Sequence, residues 1–153
     1  VRVTTLPCDW LPFDSLTGRD VHDVLQLRSR VFVVEQTCAY LDADGADPKC
    51  WHGLMRDAEG LLVATARLVP PGLKYVEPAI GRVVSAPEVR RTGAGRALMV
   101  SAIAQVKRLW PGQPIRIGAQ RYLEAFYGSL GFVPTGEPYG EDGIPHIEMI
   151  RGA

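Results

Sequence analysis

Net charge is missing from this 153-residue chain, in which 17 acidic residues balance 17 basic ones. No bulk field therefore favours nucleic acid or an anionic membrane, and any anion site must be local. Cysteine is scarce: Cys8, Cys38 and Cys50 form an odd, unpatterned set, which excludes a disulfide framework. Long apolar runs are also lacking. The run LLVA at residues 61–64 is typical and falls far short of the ~20 residues of a membrane span. The opening VRVTTLPCDW has no apolar signal-peptide core, and there is no repeat, low-complexity tract or charged tail. These absences predict a cytoplasmic protein with no nucleic-acid or membrane partner. The length predicts one domain over residues 1–153, large enough to bury a layered core.

The patterning that is present alternates between periods. Residues 1–6 alternate weakly, as a short strand would. Val21, Val24, Leu25, Leu27, Val31 and Phe32 roughly follow helical spacing and predict a helix over 17–33. Residues 38–50, rich in Asp, Ala and Gly and containing Pro48, read as a loop. Residues 51–56 and 61–69 form a predicted hairpin around Asp57-Ala58-Glu59-Gly60. Another strand spans 79–85. A helix over 93–109 presents Met99, Ala102, Ile103, Val106 and Trp110 on one face, with Lys107 and Arg108 at its C-terminal dipole. A strand at 114–119, a short helix at 121–130, a return to β structure at 131–134 and a last strand at 144–150 follow. The order predicts a mixed α/β domain without the regular alternation of a doubly wound dinucleotide fold.

The stretch EVRRTGAGRALM at residues 88–99 stands out. One capping residue suffices to start a helix, and Thr92 could supply it, whereas each glycine in a helical turn costs up to ~1 kcal/mol relative to alanine. A ligand explains them better. The first turn of a helix has unpaired N–H groups and a partial positive charge, and glycine lets phosphate oxygens approach the backbone. Arg90, Arg91 and Arg96 add charge at the same end. The stretch reads as a phosphate cradle suited to a pyrophosphate. It is not a P-loop, because Arg96 follows Gly95 where a lysine would be needed, and it lacks the third glycine of the dinucleotide fingerprint.

Arg90-x-x-Gly93-x-Gly95 between a strand and a helix resembles the acyl-CoA signature of the GNAT superfamily of N-acetyltransferases. Downstream, AFYGSLGF at residues 125–132 resembles that family's FYxxxGF segment. Residues 27–36, 81–85, 118–132 and 141–149 are similar to the ElaA-like branch, so the resemblance spans nearly the whole chain. Ser85 departs from the apolar β-branched residue usual before the loop, and Arg91 from a glycine.

The resemblance implies a GNAT acyl-CoA N-acyltransferase fold, a twisted mixed sheet flanked by helices. It also implies transfer of an acetyl group from acetyl-CoA, as co-substrate and without a metal, to a primary amine by direct attack in a ternary complex. The acceptor is a small molecule or a peptide amine, and a homodimer is compatible with the sequence. Arg90, Arg91, Thr92, Gly93, Ala94, Gly95 and Arg96 would hold the pyrophosphate. The backbone of Val83, Val84 and Ser85 would pair with the pantetheine arm like an added strand, an N–H near Val84 would bond the thioester oxygen, and Gln120 would bond a pantetheine amide. Tyr127 is the leading general acid, although its phenol at pKa ~10 is a weaker acid than a thiol at ~8.5.

Three groups compete for the role of base. Glu35 follows the apolar run VFVV, where partial burial would raise its pKa; His146 and His52 titrate naturally near working pH. Glu35 and His146 rank ahead of His52, and water can mediate for any of them. Ordinary structural readings stand beside each: a helix-end carboxylate, a brace for the last hairpin, a satisfied histidine next to a strand. Gly81 fits a bend in its strand or a packing contact. Arg67 reads as an exposed strand arginine, and Trp10 and Phe13 suit a core or an interface equally.

Two metal readings fail. The run DADGAD at residues 42–47 lacks the bidentate glutamate of a calcium loop and reads as a solvated loop beside the acceptor. Cys38, Cys50 and His52 lack a fourth ligand at zinc spacing. The alternative to an enzyme is a non-catalytic acyl-CoA-binding or regulatory module.

Overall fold

Thr17 opens the first helix with a reciprocal capping box: its side chain accepts from Asp20 N–H, and the Asp20 carboxylate accepts from Thr17 N–H. Helix α1 runs Gly18–Arg28 and continues as a π-helical turn, Ser29–Glu35. Gln36 N–H reaches Val31 O and Cys38 N–H reaches Val33 O, both five residues back. The predicted helix over 17–33 is thus helical throughout but widens where β-branched residues crowd it. Widened turns of this kind favour functional sites, and this one turns Phe32, Glu35 and Gln36 toward a cleft.

The computed structural model describes residues 6–153. The strand expected at residues 1–6 falls almost entirely outside that range. The first described strand is β1, Cys8–Pro12, followed by β2 (Trp51–Arg56), β3 (Leu62–Val69), β4 (Ala79–Ser85), β5 (Ile115–Gln120), β6 (Val133–Pro134), β7 (Tyr139–Glu141) and β8 (Ile144–Arg151). They form one sheet in the order β1-β2-β3-β4-β5-β8-β6, with β7 also on β8. All neighbours are antiparallel except β4 and β5.

Strand β3 is buried almost from end to end, because both of its faces are covered. Ala64, Ala66 and Leu68 join the core under helix α2, Ala94–Leu109, together with Leu98, Met99, Ala102, Ile103 and Val106. By alternation Thr65, Arg67 and Val69 face the α1 side. There Leu27 and Val31 pack with Val84 and Ala86. The sheet is therefore the middle of three layers. Trp10 packs against the α2 core and donates from Nε1 to Ser101 Oγ at 2.8 Å, and Phe13 meets the His52 ring edge-on. A Cβ on Gly53 would lie 2.5 Å from the Trp10 ring, so β2 needs a glycine there.

Two departures from ideal pairing position the site. Ala64 and Thr65 pair with Ser85 and Val84, but Arg67 pairs with Gly81, so Arg82 and Val83 together oppose Ala66. This is a β-bulge, and Arg82 sits in the left-handed region with φ 50°. The left-handed residue is Arg82 rather than Gly81, where a Cβ would have open space; Gly81 thus marks neither the bend nor a tight contact. Strands β4 and β5 pair only at their starts, Ala79 with Arg116, and Arg116 N–H bonds Pro78 O. Beyond that point they diverge.

Candidate active site

The divergence opens a cleft of about 1380 Å³. Its walls are the far ends of β4 and β5, the π-helical turn, the start of α2, the short helix α3 (Glu124–Gly128) and the hairpin of β7 and β8. Twelve of the fourteen site residues expected from sequence line it: Glu35, Val83, Val84, Ser85, Arg90, Arg91, Gly93, Gly95, Arg96, Gln120, Tyr127 and His146. The remaining two turn elsewhere. Thr92 donates its hydroxyl hydrogen to Val89 O, so it closes the turn before the helix instead of capping it. Ala94 is buried in the core and can offer only its backbone.

At the start of α2 the N-cap is Gly93, at φ 90°, and no side chain caps the helix. The first intrahelical bond comes from Ala97 N–H to Gly93 O, which leaves the N–H groups before it for a ligand. A Cβ on Gly95 would meet nothing within 4 Å, so the protein's own packing does not require this glycine. Arg91 adopts φ 63° and has no ion-pair partner among the described residues. Arg96 donates to Ser129 Oγ at 2.7 Å and lies over the Phe126 ring. Arg90 is engaged differently, in a two-pronged ion pair with Glu35. An uncapped helix start, an open glycine and unpaired cations fit the pyrophosphate of an acyl-CoA.

Glu35 departs from expectation. It is exposed, and the Arg90 guanidinium holds its carboxyl below the usual range. The apolar run before it is fully buried only at Val31, while Val34 is largely exposed, so the burial that would have raised the Glu35 pKa does not occur. Gln120 forms an amide pair with Gln36, at 3.2 Å from Gln120 Nε2 to Gln36 Oε1, which ties β5 to the π-helical turn across the cleft.

Tyr127 is buried on α3, edge-on to Phe126 and Phe132. Burial, with Tyr122 adding to it, pushes its phenol up to about 12. Its hydroxyl has no hydrogen-bond partner among the described residues. His146 sits opposite Gln120 in the β5–β8 register. It is 8% exposed and stacks on Tyr139. Its Nδ1 lies 2.7 Å from Ile144 O, and its Nε2 lies 3.5 Å from Glu141 Oε2. Since a carbonyl accepts, Nδ1 carries the hydrogen and a neutral ring keeps its lone pair on Nε2. His52 is 2% exposed, bonded through Nε2 to Asp47 O, and burial lowers its pKa. It lies outside the cleft lining.

The loop at 42–47 lines the cleft through Asp44, Gly45 and Ala46, but it is only partly solvated. Asp42 and Asp47 are buried. Arg28 binds Asp42 at 2.7 Å and Asp47 at 2.9 Å, and Arg67 binds Asp44 at 2.6 Å and Asp47 at 2.8 Å. Arg67 is 3% exposed, so it is a core arginine and not a surface one. Arg82 completes the group through Asp42 and Asp44. The aspartates that suggested calcium are neutralised by three arginines, and among the described residues no cluster could hold a metal.

Sequence reasoning expected a last hairpin but left strand β7 unassigned, whose turn into β8 brings Glu141, Asp142 and Ile144 to the cleft. Its signal was Asp142-Gly143 between strand-compatible residues; both adopt positive φ, as a two-residue hairpin turn requires. Tyr40 and Arg82 were missed as well, because nothing local marks them.

Comparison with known proteins agrees with this geometry. Residues 43–151 match the family described as "Acetyltransferase (GNAT) domain". The chain is 44% identical over 141 residues to UPF0039 protein sll0451 of Synechocystis, with 92% of each chain covered. It is 39% identical over 145 residues to protein ElaA of Escherichia coli, covering 92% of this chain and 93% of ElaA. The crystal structure of an acyl-CoA N-acyltransferase from Pseudomonas aeruginosa superposes with a TM-score of 0.90 at 40% identity, covering 96% of this chain and all of the other. That of E. coli ElaA also gives 0.90, at 38% identity and with 96% and 99% covered. The mixed sheet with flanking helices is the fold of both solved structures, and the chain belongs to the GNAT family of acetyltransferases.

Proposed function

We propose that this protein transfers the acetyl group of acetyl-CoA to a primary amine by direct attack within a ternary complex, and that residues 1–153 act as one domain in the cytoplasm. The observation that carries this reading is the cleft itself. It joins an uncapped helix start, an open strand edge, a buried phenol and a histidine whose Nε2 lies beside the Glu141 carboxylate.

The N–H groups at the start of α2, with Arg91 and Arg96, hold the pyrophosphate. The edge of Val83–Ser85, left free by β5, takes the pantetheine arm as an added strand, and an N–H near Val84 receives the developing negative charge on the carbonyl oxygen. Acetyl-CoA supplies the activated thioester. The amine nitrogen attacks its carbonyl carbon, a C–N bond forms, and the C–S bond breaks with its electron pair on sulfur. His146 Nε2 takes the amine proton, directly or through water. Tyr127 faces the departing sulfur. A phenol held near 12 does not readily give up its proton to a thiolate of pKa ~8.5, so its role is to donate a hydrogen bond to that sulfur. Glu35, committed to Arg90, anchors the cradle.

Titration calorimetry with acetyl-CoA, against ADP as a reference, tests the reading, followed by thiol release over a panel of amines. Saturable micromolar binding with thiol release is expected. Binding without turnover for any amine would leave an acyl-CoA-binding module, and no binding would remove the assignment.

A further inference from the structure

We propose that Arg82 is a positioning residue whose side chain, clamped by Asp42 and Asp44, holds the β4 bulge and hence the strand edge that receives acyl-CoA. The inference rests on the acyl-CoA reading above and adds to it a determinant of affinity outside the cradle.

A left-handed conformation is unfavourable for any residue with a Cβ and easy for glycine. The bulge places Arg82 at φ 50° although a glycine stands one position earlier. A bulge needed only for its backbone would put glycine at the left-handed position. Here the side chain is used. Arg82 Nε lies 3.0 Å from Asp42 Oδ1, its Nη2 donates to Asp42 O at 3.1 Å and to Asp44 Oδ2 at 3.4 Å, and the guanidinium lies over the Tyr40 ring.

The clamp is anchored in turn. Tyr40 donates its hydroxyl hydrogen to Asp42 Oδ1 at 2.7 Å. Arg28, 1% exposed on α1, binds the other Asp42 oxygen and the Asp42 carbonyl. Asp44 is fixed by Nη1 and Nη2 of Arg67. A strained residue persists where its surroundings over-determine it. The surroundings here reach α1, the loop and β3 at once.

What is held is the divergence of β4 from β5. Before the bulge β4 pairs with β3 and touches β5 at Ala79; after it, Val84 and Ser85 keep β3 but have lost β5. Without the clamp, a chain free at residue 82 can relax toward regular pairing, which closes the edge that the pantetheine arm needs.

Substitution by glycine separates backbone from side chain, because Arg82→Gly can adopt the left-handed conformation without strain but has no clamp to hold it there. Acetyl-CoA affinity by calorimetry, melting temperature and acceptor KM are measured for the wild type, Arg82→Gly and Arg82→Lys. The expected result is about a tenfold weaker acetyl-CoA Kd in Arg82→Gly, with melting temperature and acceptor KM close to wild type. Arg82→Lys, which keeps a charge for Asp42, should recover most of the loss. Wild-type affinity in Arg82→Gly overturns the proposal, and so does an affinity loss in both variants that follows their melting temperatures. A rise in acceptor KM alone also overturns it, by making Arg82 an acceptor contact. If the wild type itself binds no acetyl-CoA, the functional reading falls first and takes this inference with it.

Discussion

A phenol held near 12, as at Tyr127, stays protonated throughout the working range of the protein. Tyr127→Phe should therefore lower kcat about 10-fold or more, the scale of one lost hydrogen bond to a charged group, and leave acetyl-CoA affinity within about twofold. The rate between pH 8 and 9.5 should show no decline that vanishes in Tyr127→Phe; pH–rate profiles of both proteins check this. His146→Gln removes the lone pair assigned as base, and kcat should drop about 100-fold at unchanged acetyl-CoA Kd, as single-turnover assays alongside calorimetry would show. Glu35→Gln should instead weaken acetyl-CoA binding modestly by freeing Arg90, and should spare kcat. Residue type alone could not rank these three groups, since the ranking depends on which partner each one meets.

At the scale of elements, the start of α2 is where glycine and function meet. Gly95 has room for a side chain and an ordinary φ, so Gly95→Glu should fold with a melting temperature near wild type. Its carboxylate would nonetheless lie in the proposed pyrophosphate cradle, and acetyl-CoA binding should fall beyond detection in a calorimetric titration. Gly93 is the less clean probe, because any side chain at φ 90° is strained by about 1–2 kcal/mol before a ligand is considered. Elements with a strong local period were legible: α2 from its apolar stripe, α1 from the spacing of Val21, Val24 and Leu27, and β2 and β3 as β-compatible runs on either side of a polar turn with glycine. Strand β1 was not, because CDWLP ends in proline and is an edge strand whose identity depends on pairing with β2. The π-helical turn was not either, since an i to i−5 bond leaves no period of its own in so short a segment.

For the molecule as a whole, the buried arginine–aspartate group ties α1, the loop at 42–47, β3 and β4 together. Arg28→Met would leave Asp42 and Asp47 buried with a partner removed, at a cost of about 3–5 kcal/mol, measurable by urea unfolding. Acid should weaken the fold in two stages. Burial depresses the His52 pKa, so as pH falls below ~6.5 the unfolded chain gains a proton that the folded one does not. Asp44 and Asp47, held below the usual carboxylate range mainly by their arginines, add a second loss below about pH 4. A melting series from pH 7.5 to 3 should show both stages, and His52→Asn should flatten the first.

The sequence by itself determined the family, the order of the principal helices and strands, and the glycine–arginine pattern from which a phosphate cradle is proposed. Each of these is written in residues near one another: a stripe on one helix, two glycines after two arginines, a tyrosine four residues before Gly131. Tertiary structure decided what each charged group became. Glu35 meets Arg90 across 55 positions, Arg28 meets Asp47 across 19, and Arg82 meets Asp42 across 40. A carboxylate among arginines is silenced, and an arginine among aspartates is buried, whatever its neighbours in the chain. The electrostatic environment of a side chain is set by what the fold brings within a few ångströms of it, and separation along the chain does not record that.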